Sequence, residues 1–152
     1  MVAWLIAGPE RLAAYFAWLP PLFARIVVGT VFAVSGWGKL NALPKVTQNF
    51  VEWGIPAPHI LTPFVAGVEL VGGILLLLGL FTRFAAVPLV IVMIVAIVAA
   101  KFGEIDGFAT LAGFEETAYM ALLGWLAVAG PGPLSLDYLL LHTRGRGEMA
   151  RA

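Results

Sequence analysis

The chain has 152 residues, of which 61% are hydrophobic and only 12% are charged, about half the charged share of a typical soluble domain. So few charges cannot cover the wet surface of a domain of this size, which excludes an ordinary soluble enzyme and a disordered chain. Nine basic residues balance nine acidic ones, so no basic field exists for a nucleic-acid partner. The composition predicts an integral membrane protein whose first partner is the lipid bilayer.

Four segments are long and apolar enough to cross about 30 Å of hydrocarbon as helices. They cover residues 22–40, 60–80, 84–100 and 111–130. The fourth starts at Leu111 or at Thr117, since two glutamates stand between these positions. A longer connection, 41–59, joins the first two spans and contains a clear helix breaker at 54–58. We therefore predict an all-α transmembrane four-helix bundle that forms one membrane domain over residues 1–152.

Two shorter segments lie outside these spans. Residues 9–19 form a predicted short N-terminal interfacial helix, with Pro9 in its first turn and the pair Pro20-Pro21 at its end. Residues 134–142 are predicted to lie along the membrane at the other end of the chain. Asp137, within this second segment, is expected to cap or anchor it.

Basic residues near the span ends set the predicted orientation. Those on the side of both termini are Arg11, Arg25, Arg83, Arg144, Arg146 and Arg151, and those on the opposite side are Lys39, Lys45 and Lys101. The excess predicts that the N- and C-termini lie in the cytoplasm.

Several short motifs follow one another in a fixed order. They are RIVVGTVFAVSGWGKL at 25–40, GIP at 54–56, VELVGG at 68–73, LGLFTR at 78–83, GPG at 130–132 and SLD at 135–137. Together they resemble the DoxX family of small four-helix membrane proteins, over about Leu22 to Leu140. Members of that family often place a histidine near the end of the third span, where this chain has Lys101.

The resemblance implies a multi-pass protein of the bacterial inner membrane. It also implies a subunit associated with a membrane redox or quinone-linked complex, which anchors or stabilises a protein partner, with quinone as the candidate cofactor. The alternatives are a stand-alone quinone-dependent membrane oxidoreductase, or a small transporter or membrane assembly factor. A homo-oligomer is a further candidate assembly.

Glu69 falls at the middle of the second predicted span, where a carboxylate is costly and rare. It is a candidate to bind a quinone head group or to relay a proton. The alternative is a hydrogen bond or ion pair that locks the first two spans together. Arg25 is its candidate partner, because it lies about 7–8 Å of helical rise from the midplane of the first span. Arg25 alternatively extends to the cytoplasmic headgroups.

Four charged residues mark the opposite ends of the spans and form a predicted polar cluster at the outer face. They are Lys39, Lys101, Glu115 and Glu116. This cluster is interpreted either as a site for a polar head group or as a solvated interfacial charge network.

Small residues recur at helical spacing, as in Gly29 with Ala33, and in Gly29 with Gly36 seven positions later. Such positions let membrane helices approach closely, so packing is the predicted role. The chain has no cysteine and only two histidines, which predicts no metal site and no covalently bound cofactor.

Overall fold

A computed structural model describes residues 13–149, and this part of the chain is helical without any strand. The helices are α1 (Leu19–Asn41), α2 (Leu43–Glu52), α3 (Pro58–Leu78), α4 (Thr82–Ala96), α5 (Phe108–Gly113), α6 (Glu115–Ala129) and α7 (Leu136–Met149). A π-helical turn, Ile97–Lys101, and a 3-10 turn, Phe102–Glu104, follow α4. The predicted all-α fold is confirmed.

Within residues 13–149, three helices are long and apolar enough to cross a membrane. They are Leu19–Asn41, Pro58–Leu78 and the continuous segment Thr82–Glu104. These bounds agree within a few residues with the first three predicted spans. Large apolar side chains such as Phe23, Phe64 and Ile91 are exposed along them, as expected for helices that face lipid rather than water.

Of the two starts predicted for the fourth span, Leu111 is wrong, whereas Thr117 lies within two residues of the observed start of α6 at Glu115. The backbone of Phe114 is extended, with φ −70° and ψ 137°, and separates α5 from α6. Glu115 and Glu116 therefore lie in the first turn of α6, where the positive end of the helix dipole favours negative charge. Helix α6 has 15 residues, a length of about 22 Å, and packs against α4 and α1 as the fourth helix of the bundle.

Close contact between α1 and α3 depends on glycine. A Cβ on Gly36 would lie 2.4 Å from the amide nitrogen of Leu70, and a Cβ on Gly73 would lie 2.4 Å from that of Ala33. Any side chain at either glycine would push the two backbones apart. The predicted packing role of the small residues is confirmed, and these contacts fix the register of α1 against α3.

An apolar core fills the space between α1, α3, α4 and α6. Its largest fully buried members are Phe32, Leu76, Leu89, Leu123 and Leu126. The core lies beside the part of the α1–α3 contact that contains Phe32 and Leu76. Apolar packing therefore holds the bundle together independently of its charged side chains.

The connection at 41–59, for which no helix was predicted, contains helix α2. Val46 and Phe50 lie one turn apart and face the bundle, whereas Lys45 and Gln48 are exposed. Helix α2 ends before Gly54, whose φ of +68° suits a residue without a Cβ.

The predicted N-terminal interfacial segment, 9–19, lies partly outside the described residues. The pair Pro20-Pro21 belongs to the first turn of α1, where the missing amide donors are not needed. At the other end, helix α7 begins at Leu136, and its Asp137 accepts hydrogen bonds from the amides of Phe81 at 2.8 Å and Thr82 at 3.1 Å. The anchoring role predicted for Asp137 is confirmed, although the helix that it caps is α4.

Candidate functional site

An apolar cavity of about 680 Å³ lies between α2, α3, α4 and the π-helical turn. Aromatic and aliphatic side chains form most of its wall, among them Phe50, Trp53 and Val68. The charged side chains among the lining residues are Lys39, Glu69, Lys101 and Glu116. The volume falls within the range of about 300–1,000 Å³ that is typical of small-molecule sites.

Glu69 is fully buried at the wall of this cavity. One carboxylate oxygen accepts a hydrogen bond from Lys39 Nζ at 2.5 Å, and the other accepts one from Ser35 Oγ at 2.9 Å. Ser35 and Lys39 lie one helical turn apart on α1 and therefore face the same side. Gly36 stands between them and brings α3 close enough for the carboxylate to reach both donors. Glu69 thus joins α3 to α1 through a buried ion pair.

Lys39 connects this buried pair to the edge of the bundle. Its side chain keeps 30% of its surface exposed, whereas the side chain of Glu69 keeps 1%. The ammonium group therefore contacts a buried carboxylate on one side and the surroundings of the bundle on the other. The pair therefore joins a buried charge at the cavity wall to the exterior of the bundle.

A second ion pair closes another part of the cavity wall. Lys101 Nζ lies 2.8 Å from a carboxylate oxygen of Glu116, and it also lies 5.1 Å from the centre of the Phe114 ring. Lys101 is the last residue of the π-helical turn. A π turn has more residues per turn than an α-helix and so rotates the positions at its end around the helix axis. This rotation helps to direct Lys101 toward Glu116 of α6.

The predicted outer-face cluster is therefore divided between two pairs. Lys39 binds Glu69, and Lys101 binds Glu116, so three of the four predicted residues line one cavity with the buried carboxylate. Glu115 is not one of the lining residues, and it accepts a hydrogen bond of 3.4 Å from Tyr119 Oη instead.

Arg25 does not pair with Glu69, and that prediction is wrong. Its position on α1 is 14 residues before Lys39, a separation of about 21 Å along the helix. The guanidinium is buried and donates to the carbonyl oxygens of Pro131 at 2.6 Å and Leu134 at 2.8 Å. The alternative of extension to the headgroups is also wrong, because these carbonyls hold the side chain inside the bundle. Arg25 fixes the connection between α6 and α7.

The DoxX family model matches residues 21–102 of the chain, which include Lys39, Glu69 and Lys101. The chain belongs to the DoxX family. Its match to the "Uncharacterized membrane protein Rv3486" of Mycobacterium tuberculosis is 40% identical over 124 residues, and covers 74% of this chain and 76% of that protein. Helix α6 contributes Glu116 to the cavity wall. This residue lies outside the region that the family model matches.

Two other relatives extend the comparison across bacteria. The "Putative oxidoreductase CatD" of Bacillus subtilis is 30% identical over 131 residues, with 85% of this chain and 92% of that protein covered. The "Inner membrane protein YqjF" of Escherichia coli is 28% identical over 119 residues, with 78% and 90% covered. These DoxX relatives support a bacterial inner-membrane location. No solved structure matches the chain.

Two features of this DoxX site were missing from the sequence-based prediction. Helix α2 supplies Val46 and Phe50 to the cavity, and the spacing of these two apolar residues between exposed polar ones is the signal that indicates such a helix. Ser35, which bonds the carboxylate, carries no comparable signal, because a serine within a membrane helix is common at packing contacts.

Proposed function

We propose that this DoxX-family protein is a quinone-binding subunit of a membrane redox complex. The observation that carries the proposal is an apolar cavity with a buried, hydrogen-bonded lysine–glutamate pair in its wall. A quinone has an apolar ring with carbonyl oxygens that accept hydrogen bonds, and it dissolves in the same hydrocarbon that surrounds the bundle.

The residues of the cavity fit such a head group. Lys39 and Lys101 each carry an ammonium with more than one donor hydrogen, so each can bond a carbonyl oxygen while keeping its carboxylate partner. Phe50 and Trp53 provide flat apolar surfaces for the ring. The Lys39 and Lys101 side chains are 30% and 29% exposed, which leaves room for a further acceptor beside them.

Reduction of a bound quinone consumes two electrons and two protons and yields a quinol. The groups of this chain act on the protons: the Lys39 and Lys101 ammonium groups would each pass one proton to a quinone oxygen, and each amine would take a proton back from the surroundings of the bundle on its exposed side. The electrons come from a partner subunit that carries its own redox group, and the role of this chain is to anchor that partner at the membrane.

The alternative is a stand-alone quinone-dependent oxidoreductase, in which a soluble reductant delivers the electrons directly. The name of the Bacillus subtilis relative, which describes an oxidoreductase, favours this second candidate. Purification from native membranes under mild detergent distinguishes the two, because a subunit carries a stoichiometric partner with it and a stand-alone enzyme does not.

Both candidates share one orientation. With the termini in the cytoplasm, the end of the bundle that carries Lys39 and Lys101 faces the outer side of the inner membrane, so the site exchanges protons with that side. The chain contains no cysteine, so a single cysteine at exposed Gln48 reports this directly. We expect the Gln48→Cys variant to react with a membrane-impermeant maleimide in intact cells.

Quinone binding is tested with the purified protein and a tailless, water-soluble quinone. Quinones quench tryptophan fluorescence, and subtraction of the Trp53→Phe signal isolates the tryptophan at the cavity. We expect saturable quenching that weakens about tenfold in Lys39→Met, since one hydrogen bond to a charged group is lost. The matched control is Lys45→Met, an exposed lysine of α2 that does not line the cavity. Equal affinity in both variants would contradict the proposal.

A further inference from the structure

A groove of about 490 Å³ runs along the outer surface of the bundle, between α3 and α4. Its lining residues are entirely apolar: Pro63, Phe64, Gly67, Val68, Val71, Gly72, Leu75, Phe84, Ala85 and Pro88. We call this surface the α3–α4 groove. The absence of polar side chains from its lining makes it suited to hydrocarbon and unsuited to a polar ligand.

The α3–α4 groove adjoins the cavity whose wall contains Glu69. Phe64, Val68 and Pro88 line both, so the groove and the cavity meet at these three side chains. Phe64 keeps 63% of its surface exposed and Ile91, at the cavity, keeps 56%. The cavity therefore opens sideways, between α3 and α4, toward the lipid phase.

The direction of the groove follows from its residues. From Phe64 to Leu75 it follows α3 for 11 positions, a distance of about 16 Å. Because α4 runs antiparallel to α3, Ala85 in its first turns lies at the same end as Leu75. Glu69 is level with the middle of this range, so the groove begins beside the cavity and continues past Glu69 for six positions, about 9 Å, toward the opposite membrane surface.

Charge defines the other end of the ligand. The two lysines at the cavity are each paired with a glutamate, so the cavity walls carry no net charge. An anion or a cation would meet no excess of opposite charge there, and would lose its hydration on entry. The site is matched to a neutral polar head.

We propose that the α3–α4 groove binds the tail of the ligand whose head occupies the cavity, and that the ligand is a neutral amphiphile with one long hydrocarbon chain that enters from the bilayer. This inference rests on the proposed function, under which the ligand is an isoprenoid-type quinone. It assigns Gly67 and its neighbours as the residues that select a tailed quinone over a tailless one.

Gly67 provides a sharp test, because a Cβ built on it meets no atom within 4 Å. The first carbon of a leucine at this position therefore enters open space, and Gly67→Leu extends an apolar side chain into the groove. Gly124 on α6 also has open space around it and lines neither the cavity nor the groove, so Gly124→Leu is the matched control. Both replacements remove a glycine from a helix and do not weaken it.

The experiment titrates the wild type and both variants with two quinones that share one head group, one without a tail and one with a decyl tail. Quenching of Trp53 fluorescence is the readout. Each quinone partitions into the detergent micelles to the same extent with all three proteins, so this partitioning does not affect the ratio of their affinities. We expect Gly67→Leu to weaken binding of the tailed quinone about tenfold, since several methylene groups lose their contacts. Its affinity for the tailless quinone, and both affinities of Gly124→Leu, should equal those of the wild type.

Other outcomes overturn the inference in distinguishable ways. If Gly67→Leu leaves the affinity for the tailed quinone unchanged, the groove holds only bulk lipid and the inference fails while the proposed function stands. If Gly67→Leu weakens both quinones equally, the variant acts on the head site and the inference also fails. If neither quinone quenches Trp53 in the wild type, the proposed function fails and this inference fails with it.

Discussion

Replacing Lys39 by methionine tests the central geometric claim, that the ammonium of Lys39 is what compensates the buried carboxylate of Glu69. The two groups lie 2.5 Å apart, and Glu69 has no exposed surface. A hydrogen bond to a charged group contributes about 1.5–3 kcal/mol, and removal of one partner from a buried ion pair costs about 3–5 kcal/mol. Because Lys39 is 30% exposed and Ser35 still donates to Glu69, we expect the lower end of that range, about 3 kcal/mol.

The double variant Lys39→Met/Glu69→Gln distinguishes the loss of charge compensation from a change in side-chain packing. Its neutral amide is still within reach of Ser35, so no unpaired buried charge remains. We therefore expect the double variant to be about 1–2 kcal/mol more stable than Lys39→Met alone. Reversible unfolding in mixed detergent micelles measures both, with Lys45→Met as the exposed-lysine control. If Lys39→Met is as stable as Lys45→Met, the ion pair does not compensate Glu69 and the reasoning is refuted.

Three further variants test the contacts that hold the bundle. Gly73→Ala places a Cβ 2.4 Å from the amide nitrogen of Ala33 and should destabilise the protein by about 2 kcal/mol in thermal unfolding. The control Gly67→Ala places its Cβ in open space and should leave the stability unchanged. Equal unfolding midpoints of the two variants would contradict the close contact between α1 and α3. Arg25→Lys cannot hold two carbonyl oxygens in one planar fork, so hydrogen exchange in the connection between α6 and α7 should accelerate, and unchanged exchange would count against its anchoring role. Asp137→Ala removes the cap of α4 and should lower the free energy of unfolding by about 1 kcal/mol. Thermal unfolding measures this, and an unchanged midpoint would contradict the capping role.

The spans of this protein follow from its sequence because the bilayer imposes one length on every apolar helix. This is why the first three were predicted to within a few residues. For the fourth, the sequence left two starts open, Leu111 and Thr117, because hydropathy does not detect the single extended residue that decides between them. At Phe114 the backbone leaves the helix, and the polar groups Glu115 and Glu116 then occupy the favourable first turn of a shorter helix.

The partner of Glu69 could not be predicted, because it depends on the register between two helices. Counting along each span placed Glu69 at mid-membrane, made Arg25 its candidate partner and assigned Lys39 to the outer-face cluster instead. The register is fixed by backbone contacts at Gly36 and Gly73, and several glycine pairings were compatible with the sequence. Once Gly36 is set against Leu70, Lys39 is brought to the carboxylate, and Arg25 is left about 21 Å away.

An apolar replacement distinguishes two roles for the ion pair at Glu69, a contribution to stability and a contribution to binding. A buried ion pair is weak evidence for stability, because well-packed apolar residues of similar volume are often equally stable or better by about 1–4 kcal/mol. Here α1 and α3 are already joined by glycine contacts and an apolar core. We therefore expect Lys39→Met/Glu69→Met to unfold at or above the wild-type midpoint and yet to lose saturable quenching of Trp53 by quinone. A large loss of stability with unchanged quinone affinity would instead make the pair a structural lock between the two helices.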